Sequence, residues 1–251
     1  MMSFVNMSFG EVVKKQYIYK IKANKGFISS LIFTQVIAIL FSINGVGSSG
    51  FGMDNLSVDV SYFSADMVIV FTLIWAFITG ISITTKENRY AEYTFLANRL
   101  SSSLSNMLFL VSISVFAGIT ALLTSYLLAD LIFLWKGAVS DAVMNSMFGT
   151  PLEYVMGTIA TVLYVTMFSA SGYIVGILSQ VHKAFVIGIP IFIIGVIVIA
   201  ANQAQVYLLV EMYDFYAGEA SFLLFLLKTL FAVVVFFCSA TLIGNRLEVR
   251  K

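Results

Sequence analysis

The chain is predicted to be an all-α membrane protein with six transmembrane helices. Composition is the first reason: of 251 residues, 60% are apolar and 11% charged, where soluble domains run near ~45–50% and ~25%. Mean hydropathy is +0.97, more apolar surface than a water-soluble fold of this size can hide. The second reason is where the charges are not. Six stretches carry no Asp, Glu, Lys, Arg or His: Gly26–Met53, Met67–Thr85, Leu100–Ala129, Tyr154–Val181, Ala184–Val210 and Thr229–Asn245. A crossing helix needs roughly 20 mostly apolar residues. Five stretches meet or approach that, and the sixth does so once Leu223–Lys228 is added at its front. Spans are expected near 27–46, 67–85, 104–129, 154–178, 184–203 and 223–244.

The sidedness of the bases is the third reason. Five lysines precede the first span (Lys14, Lys15, Lys20, Lys22, Lys25), Lys86, Arg89 and Arg99 follow the second, Lys183 follows the fourth, and Arg246, Arg250 and Lys251 close the chain. These are 12 of the 14 basic residues. The other three loops hold nine acids and one lysine, Lys136. Cytoplasmic loops retain Lys and Arg, so both termini are expected in the cytoplasm.

Residues 8–25 read as an interfacial helix. At helical pitch Phe9, Val12, Val13, Tyr17, Tyr19 and Ile21 share one broad side, and Lys14, Lys15, Lys22 and Lys25 gather opposite. Ile18 and Lys20 break the pattern. Such a helix lies on the inner leaflet with its lysines toward anionic head groups; the plainer alternative is a solvated basic tail. A cleaved signal peptide has the same order of basic, apolar and small residues, but this basic region is too long and lacks an A-x-A-like site. Retention is expected.

The longest cytoplasmic connection is Lys86–Leu104, between spans 2 and 3. Glu87, Arg89, Glu92 and Arg99 alternate there with Tyr90, Tyr93, Phe95 and Leu96. A mere connector needs no such apolar groups, whereas a short helix docking into a partner's groove does, with the charges setting register. A helix lying on the lipid surface is the alternative.

Local signals mark the remaining elements. Thr150-Pro151-Leu152-Glu153 combines a capping box with proline at the first helical position, which starts helix 4. Thr84-Thr85-Lys86-Glu87 matches the box more weakly. Pro190 should kink helix 5 by deleting one backbone hydrogen bond. Gly172-x-x-x-Gly176, preceded by Ser169-Ala170-Ser171, gives helix 4 a small-residue face for close packing. Lys228 falls within helix 6, where it either faces a polar cavity or an outer acid such as Glu219, or snorkels to the interface.

Several function classes drop out. With 14 Lys+Arg against 13 Asp+Glu, the net charge is +1 and nucleic-acid binding is not expected. No carboxylate lies well inside a span to bind a driving ion, and Pro190 has no counterpart in the first half, which argues against a secondary transporter. Ser171 lacks the flanking glycines of a nucleophile elbow, since Ser169 and Tyr173 stand there, and His182 lies at the far end of the span. One histidine and one cysteine, Cys238, are too few for a zinc site or a disulfide framework. No G-x-x-x-x-G-K-[ST] loop occurs, so the chain has no P-loop of its own.

The basic helix before span 1, the six-span layout and the segment Glu92-Tyr-Thr94-Phe-Leu96-Ala-Asn-Arg99-Leu-Ser101 resemble the type-2 ABC-transporter permeases, the membrane subunits of ATP-driven exporters. In that family an acidic residue, Thr, a Leu-rich step and an Arg/Ser pair mark the coupling segment; Asn98 here replaces a frequent proline. The resemblance implies an elbow helix over 8–25 and a coupling helix between spans 2 and 3. Glu87, Arg89, Glu92, Tyr93, Phe95, Leu96 and Arg99 would meet the ATPase. It also implies that helices 2 and 5 line the path, which brings Phe71, Trp75, Phe77, Pro190, Phe192 and Ile193 near it. Lys228 is a further path candidate, and Tyr207–Phe222 an outer re-entrant piece. The expected partners are two separate ABC ATPase subunits, a second permease copy or a sister permease, and membrane lipid. ATP and Mg would sit in the ATPase; this chain is expected to hold no cofactor and to be no enzyme itself. Walls rich in Phe and Met suit an apolar or amphipathic cargo, such as a peptide toxin, an antimicrobial peptide or a drug. The expected location is the plasma membrane. A non-transporting membrane scaffold or sensor, acting through the basic N-terminal helix, is the alternative.

Overall fold

The computed structural model describes residues 8–43, 47–53, 56–62, 66–85, 88, 99–136, 151–181, 185, 188, 191, 195 and 221–246, with backbone alone for 47–53, 56–62, 129, 135, 136, 151, 245 and 246. In chain order these form α1 (Phe9–Ala23), α2 (Gly26–Ile43), β1 (Gly47–Met53), β2 (Leu56–Tyr62), α3 (Asp66–Ser82), α4 (Arg99–Lys136), α5 (Pro151–Val181) and α6 (Phe222–Arg246). Among the described residues, four helices are long and apolar enough to cross a membrane: α2, Arg99–Leu134 of α4, Leu152–Val181 of α5 and Phe222–Gly244 of α6. The 17-residue α3 is a shorter apolar helix. The span expected at 184–203 lies outside the described residues except for Phe185, Gly188, Ile191 and Gly195.

Local chemistry explains the helix ends. Ser8 caps α1 with a reciprocal capping box: the Glu11 amide donates to Ser8 Oγ at 3.4 Å, and the Ser8 amide donates to the Glu11 carboxylate at 3.2 Å. Asn24 closes the other end, its amide side chain donating to Lys20 O at 3.0 Å. Pro151 opens α5, as the Thr150–Glu153 box predicts. Hydroxyls within the apolar helices return to their own backbone, as Ser42 does to Ala38 O at 2.9 Å and Thr72 to Val68 O at 2.7 Å. That keeps them from arriving in hydrocarbon unpaired.

Two expectations change in detail. The third expected span, 104–129, is the middle of a 38-residue helix, so Arg99–Leu104 is the opening of α4 and not loop. Ser101 and Ser105 there are fully buried, so the polar opening turns are held by packing rather than by hydropathy. The helical class of the membrane-crossing elements stands, with one addition between spans 1 and 2. There β1 and β2 pair antiparallel in the register Gly47↔Tyr62, Gly50↔Asp59 and Met53↔Leu56. The signal is in the residues: Leu56, Val58, Val60 and Tyr62 alternate with polar residues at the period of a strand.

The chain forms two compact units: Met1–Asn24, Ala76–Ile113 and Thr166–Lys251 in one, Lys25–Trp75 and Ser114–Val165 in the other. In the second unit Ala38, Val68 and Ala121 make a fully buried core with Phe71 against it. In the first, glycines let backbones touch. A Cβ on Gly172 would strike the Phe77 carbonyl, one on Gly80 would lie 2.8 Å from the Tyr173 nitrogen, and one on Gly176 would strike the Thr84 hydroxyl. The small-residue face of Gly172-x-x-x-Gly176 is thus filled by α3 of the same chain and the turn that follows it.

Candidate functional site

The segment expected to dock a partner starts where α3 stops. A helix C-terminus leaves carbonyls without intrahelical donors, and side chains of the following turn and of α5 supply them here. Asn88 Nδ2 donates to Ser82 O at 2.8 Å, and the Gln180 amide, from α5, donates to Thr84 O. Thr84 is itself buried, its hydroxyl donating to Ile81 O at 2.7 Å. The entry to the segment is thereby held on α5.

Its exit is held by α1. Lys20 is 4% exposed, and its Nζ donates to Ser105 Oγ at 2.7 Å, to Ser102 O at 3.3 Å and to Asn106 Oδ1. Tyr17 and Ser112 share a hydroxyl hydrogen bond at 2.8 Å. Asn106 Nδ2 reaches on to the Tyr173 hydroxyl at 3.5 Å, and the Tyr173 ring meets Phe237 edge-on at 6.1 Å. A polar chain therefore runs from α1 through the first turns of α4 to α5, with an aromatic ring of α6 at its end.

This arrangement revises the reading of the amphipathic helix. Its inward face is Val13, Gln16 and Lys20, at the i, i+3, i+7 spacing of one helix side. Lys20, which broke the expected pattern, is the charge that seats α1. Lys14, Lys15, Lys22 and Lys25 are exposed as expected. Phe9, Tyr19 and Ile21 from the expected apolar side are exposed too, along with Ile18. Gln16 is 2% exposed, and neither its Nε2 nor its Oε1 has a hydrogen-bond partner.

Among the expected coupling residues, Arg99 opens α4 and is exposed; Glu87, Arg89, Glu92, Tyr93, Phe95 and Leu96 lie outside the described residues, as do Pro190, Phe192, Ile193 and 207–220. The three path candidates on α3 each pack against another helix. Phe71 stacks on Phe41 with ring centroids 5.8 Å apart. Trp75 is 6% exposed and donates from Nε1 to Ser30 Oγ at 2.9 Å. Phe77 lends its backbone to the Gly172 contact. Lys228, in the second turn of α6, is half-buried at a shallow recess of 540 Å³ with Leu227, Leu230, Phe231 and Val234.

Sequence reasoning missed a second recess, of 430 Å³, between α4 and α5, lined by Ile119, Leu122, Leu123, Tyr126, Tyr154 and Thr158. The Tyr126 and Tyr154 rings meet there edge-on at 5.9 Å. Nothing in the apolar pattern distinguishes these residues from ordinary span residues. Among the described residues, no group of three His, Cys, Asp or Glu side chains comes together as a metal site. The chain matches no protein-family model, no curated protein and no solved structure.

Proposed function

We propose that the chain is the membrane-spanning permease subunit of an ABC exporter. In this reading it has six spans, lies in the plasma membrane with both termini cytoplasmic, and moves an apolar or amphipathic cargo outward. Separate ATPase subunits bind the ATP and Mg, and a second permease copy or a sister permease completes the path. The observation that carries the reading is the frame around residues 86–98. Gln180 of α5 holds the backbone at Thr84, before that segment, and Lys20 of α1 holds the opening turns of α4 after it. Helices that are themselves anchored beside such a segment can pass a push on to the rest of the bundle.

In this mechanism the ATPase engages Glu87, Arg89, Glu92, Tyr93, Phe95, Leu96 and Arg99. Its closure moves α3 and α4, which flank the segment in sequence. The cargo meets apolar wall, including the recess beside Lys228 lined by Leu227, Leu230, Phe231 and Val234.

The test is a mild-detergent pull-down of the tagged chain at native expression, with mass spectrometry for a Walker-A protein. It is repeated with Glu92→Lys and Arg99→Glu together. An ATPase that comes with the native chain and is lost with the double variant is the expected result. Absence of any ATPase from the native preparation would overturn the exporter reading in favour of a membrane scaffold or sensor.

A further inference from the structure

Gln16 and Lys20 stand one turn apart on the inward face of α1 with opposite hydrogen-bond balances. Lys20 directs its ammonium at Ser102 O, Ser105 Oγ and Asn106 Oδ1. The Gln16 amide is equally buried and has no partner at either end. An amide brings two donors and an acceptor out of water, and burial without replacement partners opposes docking. The seat of α1 on α4 therefore contains a pull and a push four residues apart.

The outward side of α1 has a destination of its own. Lys14, Lys15 and Lys22 are exposed, and Phe9, Ile18 and Ile21 are exposed by 51%, 40% and 40%. Bases beside apolar groups on one helix suit an anionic lipid interface. There the Gln16 amide regains water.

We propose that α1 is a releasable strap on α4, held by Lys20 and Tyr17, biased toward release by the unpartnered Gln16 amide, and captured on release by anionic lipid head groups. The strap uses the same Lys20 contact that frames residues 86–98, but its test reads only α1 against α4 and involves neither ATPase nor cargo, so either reading can fail without the other. It makes an unusual demand on a core substitution. Gln16→Leu removes the push and keeps an apolar fit, so α1 should hold more tightly, where buried substitutions usually loosen a fold.

The experiment uses the full chain with Cys238→Ser, Tyr17→Cys and Ser112→Cys, reconstituted in vesicles of phosphatidylcholine alone or mixed with phosphatidylglycerol. The rate at which the two introduced thiols crosslink reads docking. Anionic lipid should slow it, and Gln16→Leu should restore it by on the order of tenfold. Equal rates in the two lipids, or slower crosslinking in Gln16→Leu, would overturn the strap. Gln16→Met, close in shape to glutamine, repeats the test if leucine impairs folding. Amide exchange across Phe9–Ala23, with Tyr17 and Ser112 intact, gives a second readout. Slower exchange in the Gln16 variants supports the proposal, and unchanged or faster exchange refutes it.

Discussion

Gln16 of α1 and Gln35 of α2 are buried to similar depth, 2% and 5% exposed, yet they do opposite things. Gln35 meets two threonines one turn apart on α4: its Nε2 donates to Thr120 Oγ1 at 3.1 Å, and its Oε1 accepts from Thr124 Oγ1 at 3.3 Å. Both ends of that amide are used, and they fix which turn of α2 faces which turn of α4. Gln16 finds no such pair, and Lys20 does the fastening in its place. A polar side chain in an apolar bundle is thus a clasp when the facing helix offers partners at matching spacing, and a bias toward separation when it does not. The contact of α3 with α5 adds a third device, glycines on each helix that let the two backbones touch.

That third contact sets the upper end of the scale. Gly172→Leu has no room, because even a Cβ strikes the Phe77 carbonyl; a loss of about 3 kcal/mol is expected, read as folded fraction against denaturant in detergent. A near-neutral result would mean that α3 and α5 shift freely, and the contrast between rigid and releasable seats would fail. Lys20→Met comes next. It takes the Lys20 donor away from Asn106 Oδ1 and Ser105 Oγ and should cost about 2 kcal/mol, seen as faster proteolysis within α1 while α2 through α6 stay intact. Unfolding of the whole chain instead would make α1 a structural pillar rather than a strap.

The glutamines themselves supply the sharpest pair. Gln35→Leu should lower stability by about 1 kcal/mol, in contrast to the tightening expected of the same substitution at Gln16. Effects of the same sign in thermal denaturation would erase the distinction. The smallest change is Trp75→Phe, which removes one hydrogen bond to Ser30 and keeps most of the ring. A drop of about 0.5 kcal/mol is expected. A larger drop in melting temperature would mean that the Ser30 bond anchors α3 to α2 more firmly than one hydrogen bond should.

The membrane class and most helices were legible in the residues, because long charge-free runs and the placement of Pro151 act locally and need no partner to be read. Gly172 and Gly176 were legible as a close-packing face for the same reason. The segment 86–98 stood out by its mixture of charge and aromatic groups, yet what frames it did not. Gln180 and Lys20 lie 96 residues from Thr84 and 85 from Ser105, and no period along one helix reports a hydrogen bond across such distances. Lys20 looked like an error in an amphipathic pattern. Its meaning was decided by the face that α4 turned toward it, as the meanings of Gln16 and Gln35 were. Apolar burial depends on average composition, which a sequence carries openly; directed hydrogen bonds depend on where two atoms meet, and only the folded chain settles that.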